Sequence, residues 1–71
     1  MDNQKIWSVS FHSHTDGITN FCIFYSYEGA RAEAQRWVED SYGHEEWEWA
    51  GSFEATDGAD RIIIEEEVVG E

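Results

Sequence analysis

The 71-residue chain has no proline, one cysteine, and only 4 Lys and Arg against 16 Asp and Glu, for a formal net charge of −12. Each shortage excludes something. Cys22 alone allows neither an internal disulfide nor a paired-cysteine metal framework. Nucleic-acid phosphates and anionic lipids are held mainly through Lys and Arg, so direct binding to either is not expected, and any partner should be basic. The longest apolar run, residues 21–25, is far short of the roughly 20 residues a membrane span needs. The opening residues Met-Asp-Asn-Gln-Lys lead into no apolar segment. With the lone thiol, this predicts no secretory signal and a reducing, cytoplasmic compartment.

Large apolar residues are plentiful. At 41% hydrophobic and 15% aromatic, with 4 Trp, the chain can bury a core and escapes the composition of disorder. A lone core of this size is only marginally stable, which makes a homodimer the expected supplement. Nothing resembles a linker, so residues 1–71 read as a single acidic domain.

Asp16-Gly17 and Asp57-Gly58 each sit between runs of period-two alternation, a strong hairpin signal. Between them, Ala30, Ala34, Trp37 and Val38 share one helical stripe. The spacing predicts a helix over about 29–42, ended by Gly43 in a left-handed conformation, with His44 beyond it placed to meet the helix dipole. The expected fold class is α+β: a ββαββ order forming a four-stranded antiparallel sheet with one helix on one face.

Register decides which side chains share a face. In the first hairpin, a three-residue loop Thr15-Asp16-Gly17 sets Phe11 opposite Phe21, Val9 opposite Ile23 and Trp7 opposite Tyr25, which gathers the large apolar residues. It leaves Ser10, Cys22 and Phe24 on the uncovered face as the expected dimer interface. In the second, a two-residue Asp57-Gly58 loop sets Phe53 against Ile62, Trp47 against Val68 and Glu48 against Glu67. The expected core is Trp7, Phe11, Ile23, Trp37, Trp49, Phe53 and Ile64.

The charge is uneven: residues 43–71 hold ten acids and one base, a net of −9. Glu46, Glu48, Glu54, Glu65 and Glu67 fall on the uncovered face in this register. Same-face residues on a strand are roughly 6.6 Å apart, close to the phosphate spacing of a nucleic-acid strand. With Glu45, Asp57, Asp60 and Glu66 adjoining, these acids form the expected partner-binding surface. Acids on an exposed sheet also serve solubility and blunt edge pairing, but a magnitude of about 2–8 suffices for that in a small domain.

In length, in a pI of about 4.3 and in its acidic sheet, the chain resembles small phage-encoded proteins that imitate DNA. Such proteins inhibit restriction enzymes, uracil-DNA glycosylase, CRISPR effectors or the bacterial nucleoid protein HU. The resemblance spans the whole chain in bulk properties, rests on no motif, and is nearest to the HU inhibitors. It implies a homodimer that occupies the DNA-binding surface of a basic host protein. The rival expectation is a small acidic adaptor that binds its partner by β-augmentation or an apolar patch; another counter-defence inhibitor, such as an anti-CRISPR protein, is a further alternative.

His12, His14 and Cys22 share a face in the chosen register, but a structural zinc site wants four ligands, and an ordinary polar face without a cofactor is the expectation. With no phosphate loop, nucleophile elbow or metallohydrolase helix, no enzyme is expected.

Overall fold

A computed structural model describes residues 4–41 and 44–69, with the side chains of His44 and Val69 left aside. In chain order it contains β1 (Gln4–Ser13), β2 (Gly17–Phe24), α1 (Tyr27–Asp40), a 3₁₀ turn (His44–Glu46), β3 (Glu48–Trp49), β4 (Glu54–Thr56) and β5 (Arg61–Val69). The strands form one antiparallel sheet in the order β2-β1-β5-β4-β3, with the helix packed on one face. The fold is α+β as expected, with five strands where four were expected.

The extra strand comes from a break in the run 46–54. Gly51 has φ of +125°, a conformation that costs any residue with a Cβ. Around it the chain doubles back, and the Ala50 N–H donates to the Glu54 carbonyl at 2.8 Å. One long expected strand thus becomes the small hairpin β3–β4. Trp47 and Val68 are therefore not opposed, and Glu48 lies opposite Thr56 rather than Glu67.

The turn joining β4 to β5 is also longer than two residues. Asp57 Oδ1 accepts from the N–H groups of Ala59 and Asp60 at 2.9 and 2.8 Å, and the Thr56 hydroxyl donates to the Asp60 carbonyl at 2.7 Å. These short polar side chains close a four-residue loop that pairs Thr56 with Arg61 and Ala55 with Ile62. The shift from the expected pairing is two residues, so every side chain keeps its face.

In the first hairpin the shift is a single residue, and β2 turns over. Phe11 pairs with Asn20, Val9 with Cys22 and Trp7 with Phe24, and the register slips between Phe11 and His12, leaving Thr19 as an extra residue in β2. The Ser13 hydroxyl accepts from the N–H groups of Thr15 and Asp16, which fixes the loop at residues 14–16. Gly17, at φ +79°, is in the expected left-handed region but one position later in the turn. Cys22 and Phe24 therefore lie on the helix side, and Phe21 and Ile23 on the open side.

Ser26 caps α1, its hydroxyl accepting from the Gly29 N–H at 3.0 Å. The helix ends at Asp40, where both the N–H and the hydroxyl of Ser41 donate to the Val38 carbonyl. This cap precedes Gly43, the expected terminator, which lies outside the described residues, as does Tyr42. Ala30, Ala34 and Val38 bury the helical stripe against Val9, Trp47, Ala55, Ile62 and Ile64; Trp7, Phe11, Phe24, Tyr27, Trp37 and Trp49 pack around them. Ile23 and Phe53, both expected in the core, are each 51% exposed.

Candidate functional site: an acidic sheet end and an apolar strip

The open face is read row by row from the pairings. On β5 it carries Arg61, Ile63, Glu65 and Glu67; on β1, His12, Ser10, Ser8 and Ile6; on β2, Ile18, Phe21 and Ile23; on β4, Thr56 and Glu54; on β3, Glu48. Four of the five glutamates expected there, Glu48, Glu54, Glu65 and Glu67, are on it. The fifth, Glu46, lies with Glu45 in the 3₁₀ turn outside the sheet, because the strand that would have carried it starts only at Glu48.

The even row expected from continuous pairing is reduced to the pair Glu65 and Glu67, with Glu54 opposite Ile63 and Glu48 on the far edge strand. Glu66 lies on the helix side, opposite Trp7, with Lys5 Nζ 3.1 Å away. Asp57 is occupied by its own turn. Asp60 is held by His14, whose ring Nδ1 is 2.8 Å from Asp60 Oδ1 and whose backbone N–H donates to the same oxygen at 3.0 Å. The ring contact first, and then the backbone N–H, hold the half-buried Asp60 carboxyl below its ordinary value of 3.8. This pair ties the loop of the first hairpin to the β4–β5 turn.

The few cations are spoken for. Lys5 lies against Glu66, Arg36 against Glu33 at 2.9 Å, and Arg61 is 3.8 Å from Glu54. Arg31 stacks over the Trp49 ring, 3.6 Å from its centroid, and donates to the Tyr27 hydroxyl, which itself donates to the Ser52 carbonyl. Among the described residues, Glu48, Glu65 and Glu67 have no ion-pair partner. At low salt their combined field extends about 10 Å or more into solvent.

Beside the glutamates runs an apolar strip that the chosen register hid. Ile18, Phe21 and Ile23 are 59%, 57% and 51% exposed, whereas Ser8 and Ser10, opposite Ile23 and Phe21, are buried. Small serines facing bulky partners across a strand pair were the signal for this register. The expected dimer interface is corrected accordingly. Cys22 and Phe24 face the helix, and only Ser10 of that set belongs to the open face.

The three soft ligands are also apart. Cys22 faces the helix, His12 Nε2 is hydrogen-bonded to the Ser10 hydroxyl at 2.8 Å, and His14 is engaged by Asp60. Among the described residues no group of three or more His, Cys, Asp or Glu is placed to hold a metal ion, and no helix is long and apolar enough to cross a membrane.

The sheet narrows toward one end. β2 pairs with β1 only as far as Trp7, and β4 pairs with β5 only over Arg61–Ile63, while β1 and β5 continue together to Gln4 and Val69. Glu65, Glu66 and Glu67 lie on this ribbon. At its base an open cleft of about 440 Å³ is lined by Phe53, Ile64, Glu65 and Glu66.

No family model, curated protein or solved structure matches the chain.

Proposed function

We propose that the protein is a DNA-mimic inhibitor that binds a basic DNA-binding protein, the bacterial nucleoid protein HU being the target class, and acts by occupation rather than catalysis in the bacterial cytoplasm. The observation that carries this reading is the concentration of Glu54, Glu65 and Glu67 on an uncovered sheet face of a chain with net charge −12. Opposed Lys and Arg on the partner would be drawn in by long-range attraction, which speeds encounter and makes affinity fall with added salt. The test uses labelled duplex DNA bound to HU and follows its release by anisotropy as the protein is added. Stoichiometric release that weakens with salt is expected; DNA retained at saturating protein would overturn the proposal.

The exposed strip Ile18, Phe21 and Ile23 favours a second reading, an adaptor that recognises its partner through apolar contact with the charge serving solubility. Salt-insensitive binding without DNA competition would select it. The same strip, which bears no charge, is the proposed meeting surface of a homodimer in place of Cys22 and Phe24. It brings two acidic chains together where their mutual repulsion is least.

A further inference from the structure

The end of β4 leaves part of its neighbour open. The Ile64 N–H donates to the Phe53 carbonyl at 2.8 Å, the last bond on that side of β5 among the described residues. Backbone groups alternate direction along a strand, so the N–H and C=O groups of Glu66 and Val68 point outward along the same edge. Among the described residues no strand pairs with them there, and Glu65, Glu66, Glu67 and Val68 are all exposed.

This edge has side chains as well as free backbone groups. Glu65 and Glu67 lie on one face of it, Glu66 on the other, and the cleft of Phe53, Ile64, Glu65 and Glu66 closes its inner end. A strand added beside β5 would place its own alternate residues about 5 Å from these glutamates. Cationic side chains on the open face would then be matched by Glu65 and Glu67, one on the other face would share Glu66 with Lys5, and a stem or guanidinium could lie against the Phe53 ring, which is 51% exposed. A second copy of this chain fits the edge poorly, because it would bring one Glu65-Glu66-Glu67 run against another.

We propose that the outer edge of β5 over Glu65–Val69 receives an extended, Lys- or Arg-bearing segment of the partner by strand addition, continuing the sheet where β4 stops. This rests on the reading that the partner is basic, and it adds which backbone is engaged. The Glu65-Glu66-Glu67 run then selects cationic strands and rejects others, so one feature both protects the edge and gives it specificity.

The test separates the edge from the charge. The probe is a Lys-Val-Lys-Val-Lys-Val peptide, compared with the same peptide carrying N-methyl groups on the residues that would donate to β5. Amide NMR and hydrogen exchange follow the protein, both as the natural chain and as Val68→Pro. Proline keeps the net charge at −12 and removes an N–H only from the outer edge, where it is tolerated. The expected result is binding of the plain peptide with slowed exchange at Glu66 and Val68, and about tenfold weaker binding either of the methylated peptide or by Val68→Pro.

Equal binding of both peptides, without protection at Glu66 and Val68, would overturn strand addition and leave the basic-partner reading standing. Binding of polylysine but of neither peptide would do the same. Binding of none of the three would overturn both. Sedimentation showing a dimer that Val68→Pro dissolves would assign the edge to a second copy and overturn the proposal.

Discussion

Ile62 and Ile23 are the same residue type on neighbouring parts of one sheet, yet Ile62 is fully buried under the helix and Ile23 is 51% exposed on the open face. Truncating each to Ala therefore isolates burial from chemistry. At Ile62 the loss of side-chain volume costs both transfer free energy and a cavity walled by Val9, Ala55 and the helix, about 2–5 kcal/mol. A 71-residue domain has about 4–11 kcal/mol of total stability, so Ile62→Ala removes a large share of it. Ile62→Val, at about 0.5–1.5 kcal/mol, is the variant for accurate work. Ile23→Ala should cost under about 0.5 kcal/mol when unfolding is measured at a concentration at which the chain is monomeric, as surface substitutions generally do. The assay is urea unfolding followed by Trp fluorescence, with the midpoint read at unchanged slope. If Ile23→Ala proves as costly as Ile62→Ala, β2 does not have the register described, and the apolar strip disappears with it.

Two further outcomes follow from the hydrogen bonds that hold the ends of the elements. Ser26→Ala removes the acceptor for the Gly29 N–H and should lower stability by about 0.5–2 kcal/mol, with Ser26→Asp restoring most of it; denaturant midpoints check this. The Asp60 carboxyl is held below 3.8 by His14, so its contribution is present above the unfolded-state value and is lost as pH falls through the folded one. The net charge of the whole chain changes with pH as well, so the telling quantity is a difference. The stability advantage of the natural chain over Asp60→Asn, measured by thermal unfolding, should shrink as the pH falls through the ordinary carboxylate value of 3.8 and below it; an advantage that does not change with pH would refute the clamp.

What the sequence showed most clearly was what local spacing controls. The stripe Ala30, Ala34, Val38 and the alternation around Ile62 and Ile64 placed the helix and the last strand, because periodicity reports directly on burial. The faces of Glu54, Glu65 and Glu67 were legible for the same reason. They survived a two-residue register change because such a change preserves parity. The first hairpin was misread where parity did not survive: Ser13 fixes a loop one residue earlier than expected, which alone moves the pairing by two and keeps every face, and the bulge at Thr19 takes one residue back and turns β2 over. Gathering Phe21 and Ile23 into the core seemed the better use of apolar area, yet Ser8 and Ser10 offered the small partners that let those residues stand on the open face. Gly51 was read as one more member of an alternating run, and only its left-handed conformation makes it a break. Its consequence, a short β4 that leaves the edge of β5 open, depends on the distance over which the chain doubles back, which alternation does not encode.

In the proposed function, carboxylates on the open face, rather than the apolar strip beside them, determine partner binding. The most direct measurement is the affinity for HU across a series of salt concentrations, for the natural chain and for the combined variant Glu54→Gln, Glu65→Gln, Glu67→Gln, which leaves Ile18, Phe21 and Ile23 intact. The natural chain should show a steep loss of affinity with salt. The variant should bind about tenfold more weakly at low salt, with a visibly flatter dependence. Identical affinities and slopes for the two proteins would show that these carboxylates do not determine binding.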